Sequence, residues 1–213
     1  VVRSADAAVS GLAGNGVFGD TGDGGPATAA RLGVSLSAAQ DPTRSIVVFG
    51  DALHARVRAV NTGPAPVTYL GVTIAPGAVA TVVGTGTATA DPLAVSDGPA
   101  AQATLKNPTL LAFDAAGLLW VSDSGDHRLR VCNPGAATAT VLGVAIAPGE
   151  VRTVVGTGVK GTPTDDGDGG PAGSARLSTP AAVLGADGNL WVLDGLNPFS
   201  GAAVAQARVR IVN

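Results

Sequence analysis

Carboxylates separated by glycine are the side chains of this sequence best able to hold a cation. Asp20-Thr-Gly-Asp23-Gly-Gly and Asp165-Asp-Gly-Asp168-Gly-Gly place acidic groups two or three residues apart. That spacing resembles the first half of a calcium loop, where alternating oxygens wrap a hard ion. Asp20, Asp23, Asp165 and Asp168 are the calcium candidates. Neither run is followed by a bidentate Glu at the expected distance, and a third, shorter run keeps only Asp97. Asp and Gly also make tight turns unaided, the first by hydrogen-bonding its own backbone and the second by accepting positive φ. The runs are therefore expected to be turns, and no cofactor is expected.

Acid–base or metal chemistry would fall to His54 and His127, the two histidines of the chain. They occupy neighbouring, non-identical positions of successive repeats. With no third His and no partner Cys, a zinc site lacks ligands. No Gly-x-Ser-x-Gly nucleophile elbow is present. His127 is expected to satisfy backbone groups at a strand corner.

Three Arg-x-Arg pairs, Arg56/Arg58, Arg128/Arg130 and Arg208/Arg210, recur in step with Asp51, Asp123 and Asp194. Alternation along a strand puts both arginines of a pair on one face. Buried there, they need carboxylate partners, and structural pairing is expected; an anion-binding surface is the functional alternative. Trp120 and Trp191 share one repeat position inside a strand pattern, which favours core packing over a ligand platform. Cys132, the single cysteine, lies in an apolar strand pattern and reads as a buried, inert thiol.

The elements that position these groups are short and sheet-forming. The chain has 213 residues, 46% hydrophobic but only 3% aromatic, with 31 Gly and 14 Pro spread along it. Small and β-branched residues suit closely stacked sheets, and dispersed Gly and Pro punctuate many short elements. Thirteen basic against sixteen acidic residues, net charge −3, give no footprint for nucleic acid. No apolar run reaches the roughly 18 residues that span a bilayer, so membrane insertion is not expected.

Internal repetition organises the whole chain. Thr68-Tyr-Leu-Gly-Val-Thr-Ile-Ala-Pro-Gly77 returns as Thr140-Val-Leu-Gly-Val-Ala-Ile-Ala-Pro-Gly149, and Thr81-Val-Val-Gly-Thr-Gly86 returns as Thr153-Val-Val-Gly-Thr-Gly158. A fainter copy is Ala8-Val-Ser-Gly-Leu-Ala-Gly-Asn-Gly16. Each is followed by an Asp/Gly loop ending in Gly-Pro-Ala and an Ala-rich stretch to Leu32, Leu105 or Leu177. Two strand patterns divided by a turn come next, as in Leu110–Asp114 and Leu118–Asp123, or Ala182–Ala186 and Asn189–Asp194. An alternating Arg-x-Arg strand closes the unit. The units run approximately over 1–61, 62–133 and 134–213, the last carrying an extra loop, Gly195–Gly201.

Four short strands per unit, apolar on both faces, call for radial stacking of sheets. The Gly-Asp-Gly-Gly-Pro-Ala loop, the Ala-rich turn to Leu, the Pro before the inner strand and Leu119-Trp-Val-Ser-Asp-Ser-Gly-Asp-His-Arg-Leu-Arg-Val131 resemble the NHL repeat of β-propellers. Asp126-His127 stands where the family has Asn-His. The resemblance implies an all-β fold of three four-stranded propeller blades, half of a six-bladed ring. An inserted segment in 67–76 and 138–148 is expected to add a hairpin at the outer rim. The implied role is a secreted, non-catalytic scaffold or interaction module, extracellular or at the cell surface, presenting loops to a protein or glycan partner. The alternative is part of a propeller hydrolase or lyase with its site at the central channel. Val1–Ala13 aligns with an outermost strand and Ala207–Asn213 with a third strand. Closure is therefore expected by pairing these ends between chains, either in a homo-oligomer or with the remainder of a longer chain.

Overall fold

The computed structural model describes residues 9–35, 37–88, 90, 91, 93, 96–162, 164–185, 189–195 and 207–212. The expected turn at Asp187-Gly188, most of the extra loop, and residues 1–8 lie outside them.

The fold is all-β and antiparallel, with three-residue 3-10 turns as its helical content among the described residues. The first sheet contains β1 (Ala38–Gln40), β2 (Ile46–Asp51) and β3 (Arg56–Asn61). After β3 the chain makes a hairpin, β4 (Val67–Tyr69) and β5 (Val72–Ile74), before β6 (Val79–Val83) completes the sheet in the order β1-β2-β3-β6. The second sheet repeats the plan. Its strands are β8 (Pro108–Phe113), β9 (Leu119–Asp123), β10 (Arg128–Cys132) and β13 (Glu150–Val155), with the hairpin β11 (Ala139–Val141) and β12 (Val144–Ile146) between the last two. A two-residue strand, β7 (Gly98–Pro99), pairs outside β13. The third sheet is β14 (Ala181–Leu184), β15 (Leu190–Asp194) and β16 (Arg208–Val212), with no fourth strand among the described residues. The described residues form this open series of sheets and close no ring.

Alternation decides which core each side chain enters. Leu119, Val121 and Cys132 join the core shared with Val48, Val57 and Val82 of the first sheet. Trp120 and Val131 point the other way, into the core shared with Leu190 and Val192 of the third. Burying each such Leu or Val contributes about 1.5–3 kcal/mol. The middle sheet is apolar on both faces because it has a neighbour on each.

β6, in the sequence unit 62–133, pairs into the first sheet, and β13, in the unit 134–213, into the second. One sequence expectation is corrected by this arrangement. The inserted hairpins do not extend a sheet edge at the rim. They form separate two-stranded ribbons, and Tyr69, Ile74 and Ile146 are fully buried in the cores between sheets. Each ribbon turns through two left-handed residues, Leu70-Gly71 and Leu142-Gly143, the backbone that matches strand twist in a two-residue hairpin. Asn61 and Asn133 hold them: Asn61 Nδ2 donates to the carbonyls of Ala65 (2.8 Å) and Ile74 (2.9 Å), and Asn133 Nδ2 to those of Ala137 and Ile146 (2.8 Å each).

No helix among the described residues is long and apolar enough to cross a membrane.

Candidate functional site

The second strand of each sheet ends on an aspartate and the third begins with Arg-x-Arg, so the corner between them concentrates charge. A 3-10 turn makes the corner, Ala52–His54 in the first sheet and Ser124–Asp126 in the second. It ends on a left-handed residue, Ala55 (φ 49°) or His127 (φ 54°). The register then sets Asp51 opposite Arg56, Asp123 opposite Arg128 and Asp194 opposite Arg208.

The second arginine of each pair is the centre of the site. Arg58 is fully buried. It donates from Nε to Asp23 Oδ1 (2.9 Å) and from Nη1 to the Arg31 carbonyl (2.9 Å), with Asp51 Oδ2 at 3.9 Å. Arg130, also fully buried, donates to Asp97 Oδ1 (2.8 Å) and to the carbonyls of Ser96 (2.6 Å) and Thr104 (2.7 Å), with Asp123 Oδ2 at 3.5 Å. Arg210 donates to Asp168 Oδ1 (2.8 Å), Asp194 Oδ2 (3.0 Å) and the carbonyls of Arg176 and Asp166. The same triad therefore occurs three times: loop aspartate, strand arginine, strand-end aspartate. It ties the Asp/Gly loop to the end of the second strand through one guanidinium, a planar fork suited to several acceptors.

The loop aspartates have a second bond in the two completed sheets. Asp23 Oδ2 accepts from Thr81 N (3.0 Å) and Oγ1 (2.6 Å) of β6. Asp97 accepts from Thr153 N and Oγ1 of β13. Burial pushes the Asp23 carboxyl up, but the Thr81 hydrogen bonds and the Arg58 charge outweigh it and hold it below the usual range. Asp168 has no such threonine among the described residues.

The remaining candidates take structural positions. Asp51 Oδ1 accepts from Gly33 N (3.2 Å) and lies 2.7 Å from His54 Nδ1, while its Oδ2 receives Arg56 Nε (3.1 Å) and Nη2 (3.0 Å). Asp20 contributes its backbone carbonyl, which accepts from Arg56 Nη2 (2.6 Å). Asp165 pairs with Arg176, and Arg208 with Asp166. Arg128 donates to the Thr157 carbonyl (2.8 Å). His127 Nδ1 accepts from Thr179 N (3.2 Å), and burial pushes the imidazole pKa down, with Lys160 adding to the effect. Burial pushes Asp123 up to about 7; Arg130 opposes this and Asp126 reinforces it. Burial likewise raises the Cys132 thiol to about 12, and this thiol is fully buried.

Trp120 and Trp191 part company. Trp120 is buried, its Nε1 donating to Asp114 Oδ2 (3.0 Å). Trp191, at the same position of the third sheet, is 40% exposed, because no sheet among the described residues covers that face. The calcium candidates are likewise drawn elsewhere: Asp23 and Asp168 face arginines. Among the described residues no group of three or more His, Cys, Asp or Glu is placed to hold a metal. Reading the sequence missed that the loop aspartates are the arginines' partners. The signal was available in the third member of the series, Asp97, which stays when the rest of the calcium-like run is lost.

The chain matches no protein family and no curated protein. Among solved structures, an auxiliary nutrient binding protein from Bacteroides ovatus is similar at a TM-score of 0.38 and 13% identity over 76% of this chain. The match spans 46% of that protein, a likeness too slight to argue from.

Proposed function

We propose that the chain is a non-catalytic β-propeller module of NHL-repeat type, whose sheets are blades and whose loops are presented to a protein or glycan partner. The observation that carries this reading is the engagement of the chemistry-bearing side chains. The three strand-end aspartates, the central arginine of each pair and both histidines are held by one another or by backbone, at distances of hydrogen bonds and ion pairs, in a repeated pattern. A catalytic acid, base or nucleophile needs a free reacting atom facing a cleft; the aspartates and arginines spend their atoms on tying loops to strands, and each histidine is held through its Nδ1. Two sheets with a common strand plan, a shared core between neighbours and a loop pinned across each outer strand support radial stacking.

The experiment is a paired one on the purified chain: metal content by mass spectrometry, and binding against turnover on panels of glycans and peptides. Saturable binding without product, and no stoichiometric transition metal, is the expected result. Turnover lost on replacing a histidine would overturn the reading in favour of a propeller hydrolase or lyase.

A further inference from the structure

The sequence contains two lysines, Lys106 and Lys160, and the fold brings both to one corner of the second sheet. Lys106 enters just before β8. Its N donates to Asp123 Oδ1 (2.7 Å) and its carbonyl accepts from Gly125 N (2.8 Å). The side-chain stem then lies flat on the corner turn, where a Cβ at Gly125 would meet Lys106 Cγ at 2.6 Å. Lys160 arrives on the loop that follows β13. Thr157 O accepts from Arg128 Nη2 (2.8 Å) and Gly161 N donates to Leu177 O (3.0 Å), so residues 157–161 run from the corner of the second sheet to the approach of the third. Lys160 is exposed and Lys106 half-buried. Neither ammonium has an ion pair among the described residues.

His127 is the third member. It is the left-handed residue that ends the corner turn (φ 54°), half-buried, and its Nδ1 accepts from Thr179 N (3.2 Å). A neutral imidazole that accepts at Nδ1 carries its proton on Nε2, and Nε2 has no partner among the described residues. Burial depresses the His127 pKa first, then Lys160; Lys106 acts in the same direction and Asp194 against it. Both ammonium groups are thus within electrostatic reach of the ring. The carboxylates at this corner are engaged: Asp194 accepts from Ser178 N and Arg210 Nη1, and Asp123 from Lys106 N with Arg130 beside it. Asp126 is fully buried.

The first sheet builds the same corner from different residues. Gly33 N bonds Asp51 Oδ1 as Lys106 N bonds Asp123 Oδ1, and Ala55 ends the turn as His127 does. Ala88 follows Gly84 at the distance at which Lys160 follows Gly156, and those two glycines leave β6 and β13 through the same bond, to Ala100 O and Ala172 O. Gly33, Ala55 and Ala88 therefore make this backbone without a single charge. The geometry of the corner does not need Lys106, His127 or Lys160, so their concentration in one copy of the repeat is chemistry added to the fold.

We propose that this corner binds a tetrahedral oxyanion, a sulfate or phosphate group, held by the Lys106 and Lys160 ammonium groups and by a hydrogen bond from His127 Nε2. Each ammonium is a point charge on a flexible four-carbon stem, so the two can converge on one ion beside the ring. Donors that approach from three sides suit a tetrahedral group, whereas planar carboxylates favour the guanidinium fork. The corner's own guanidinium groups are turned to backbone, Arg128 to Thr157 O and Arg130 to Ser96 O and Thr104 O. A free ion and a sulfate or phosphate ester on a sugar share this chemistry. The inference rests on the corner, whose residues come from 106–179, and holds whether or not the sheets are blades.

The test uses the 213-residue chain. With two histidines in the sequence, a proton–nitrogen spectrum of the imidazoles holds one set of signals for each, and His127→Asn, a residue that tolerates left-handed backbone, assigns them. Sodium sulfate titrated against sodium chloride at constant ionic strength is expected to shift the His127 signals saturably at millimolar concentration and to leave those of His54 in place. Lys160→Ala and Lys106→Met are each expected to weaken sulfate binding about fivefold, the roughly 1 kcal/mol of an ion pair near the surface. Their Tm values stay at the parent's, because the first corner stands without these charges. Arg152→Ala, which removes a partly exposed charge from β13, is expected to bind sulfate as the parent does. Galactose bearing one sulfate ester separates the sources: tighter binding than sulfate assigns the corner to a sugar ester, and equal or weaker binding assigns it to the free ion. No saturation at tens of millimolar, equal shifts at both histidines, or an equal loss from Arg152→Ala means diffuse screening and overturns the proposal.

Discussion

Arg130→Ala is the substitution that most directly loads the triad of the middle sheet. The side chain is fully buried, and truncation removes its bonds to Ser96 O, Thr104 O and Asp97 Oδ1, at 2.6 to 2.8 Å, and its attraction for Asp123. Breaking a buried pair by removing one partner costs about 3–5 kcal/mol, because the other charge is left in low dielectric. For a chain of this length a loss of about 3–5 kcal/mol lowers Tm by roughly 6–20 °C. Asp123 adds a pH signature. Its carboxyl titrates near 7, so at pH 5 it is already protonated and the substitution loses only the other bonds; at pH 8 the unpaired charge is felt in full. The assay is urea unfolding of both proteins at the two pH values, with Arg152→Ala as control. Arg152 is 37% exposed and pairs with Glu150 in its own strand, so its loss is expected to cost under about 1 kcal/mol. A cost below about 1 kcal/mol for Arg130→Ala, or one equal at pH 5 and 8, would refute the reasoning.

Asp123 also sets a slope in the parent protein. Its folded pKa of about 7 lies above the 3.8 of a free aspartate, so its contribution to stability is full below about 4 and is lost as pH rises through about 7. Asp123→Asn is expected to flatten that fall in Tm between pH 5 and 8; an unchanged slope would place the titration elsewhere. Gly156→Ala should destabilise by about 1 kcal/mol or more, since φ is +98° and a Cβ there meets the His127 carbonyl at 2.6 Å; thermal melting reads it, and a neutral result would contradict the close approach. Calcium at millimolar concentration is expected to leave Tm unchanged after chelation, because Asp23 and Asp168 face arginines; a rise of several degrees would mean that a native-state calcium site exists.

What was legible in the sequence followed from periodicity. The Asp51/Arg56, Asp123/Arg128 and Asp194/Arg208 spacing, together with alternation, placed each arginine pair beside a strand-end carboxylate, and the contacts of Arg56, Arg58, Arg130 and Arg210 are of that kind. Val-Val-Gly at Gly84 and Gly156 marked the ends of outer strands. Less legible were features settled by tertiary contact. The hairpins read as rim additions because Leu-Gly turns and short apolar runs look alike on an edge or in a core, and only Tyr69, Ile74 and Ile146 packing between sheets decides. The asparagine clamps at Asn61 and Asn133 bond across 4 residues to loop carbonyls and across 13 to the hairpin-strand carbonyls of Ile74 and Ile146, a pairing no local pattern announces. Trp120 and Trp191 share the context Leu-Trp-Val-x-Asp and differ in exposure, since burial depends on a neighbouring sheet and not on the residue.

The central claim, that these sheets are blades of a propeller, is tested most directly by electron-microscopic imaging of the purified particle. The expected image is a disc of sheets arranged about one axis with a central channel. A linear or helical stack of sheets, with no axis in common, would contradict it.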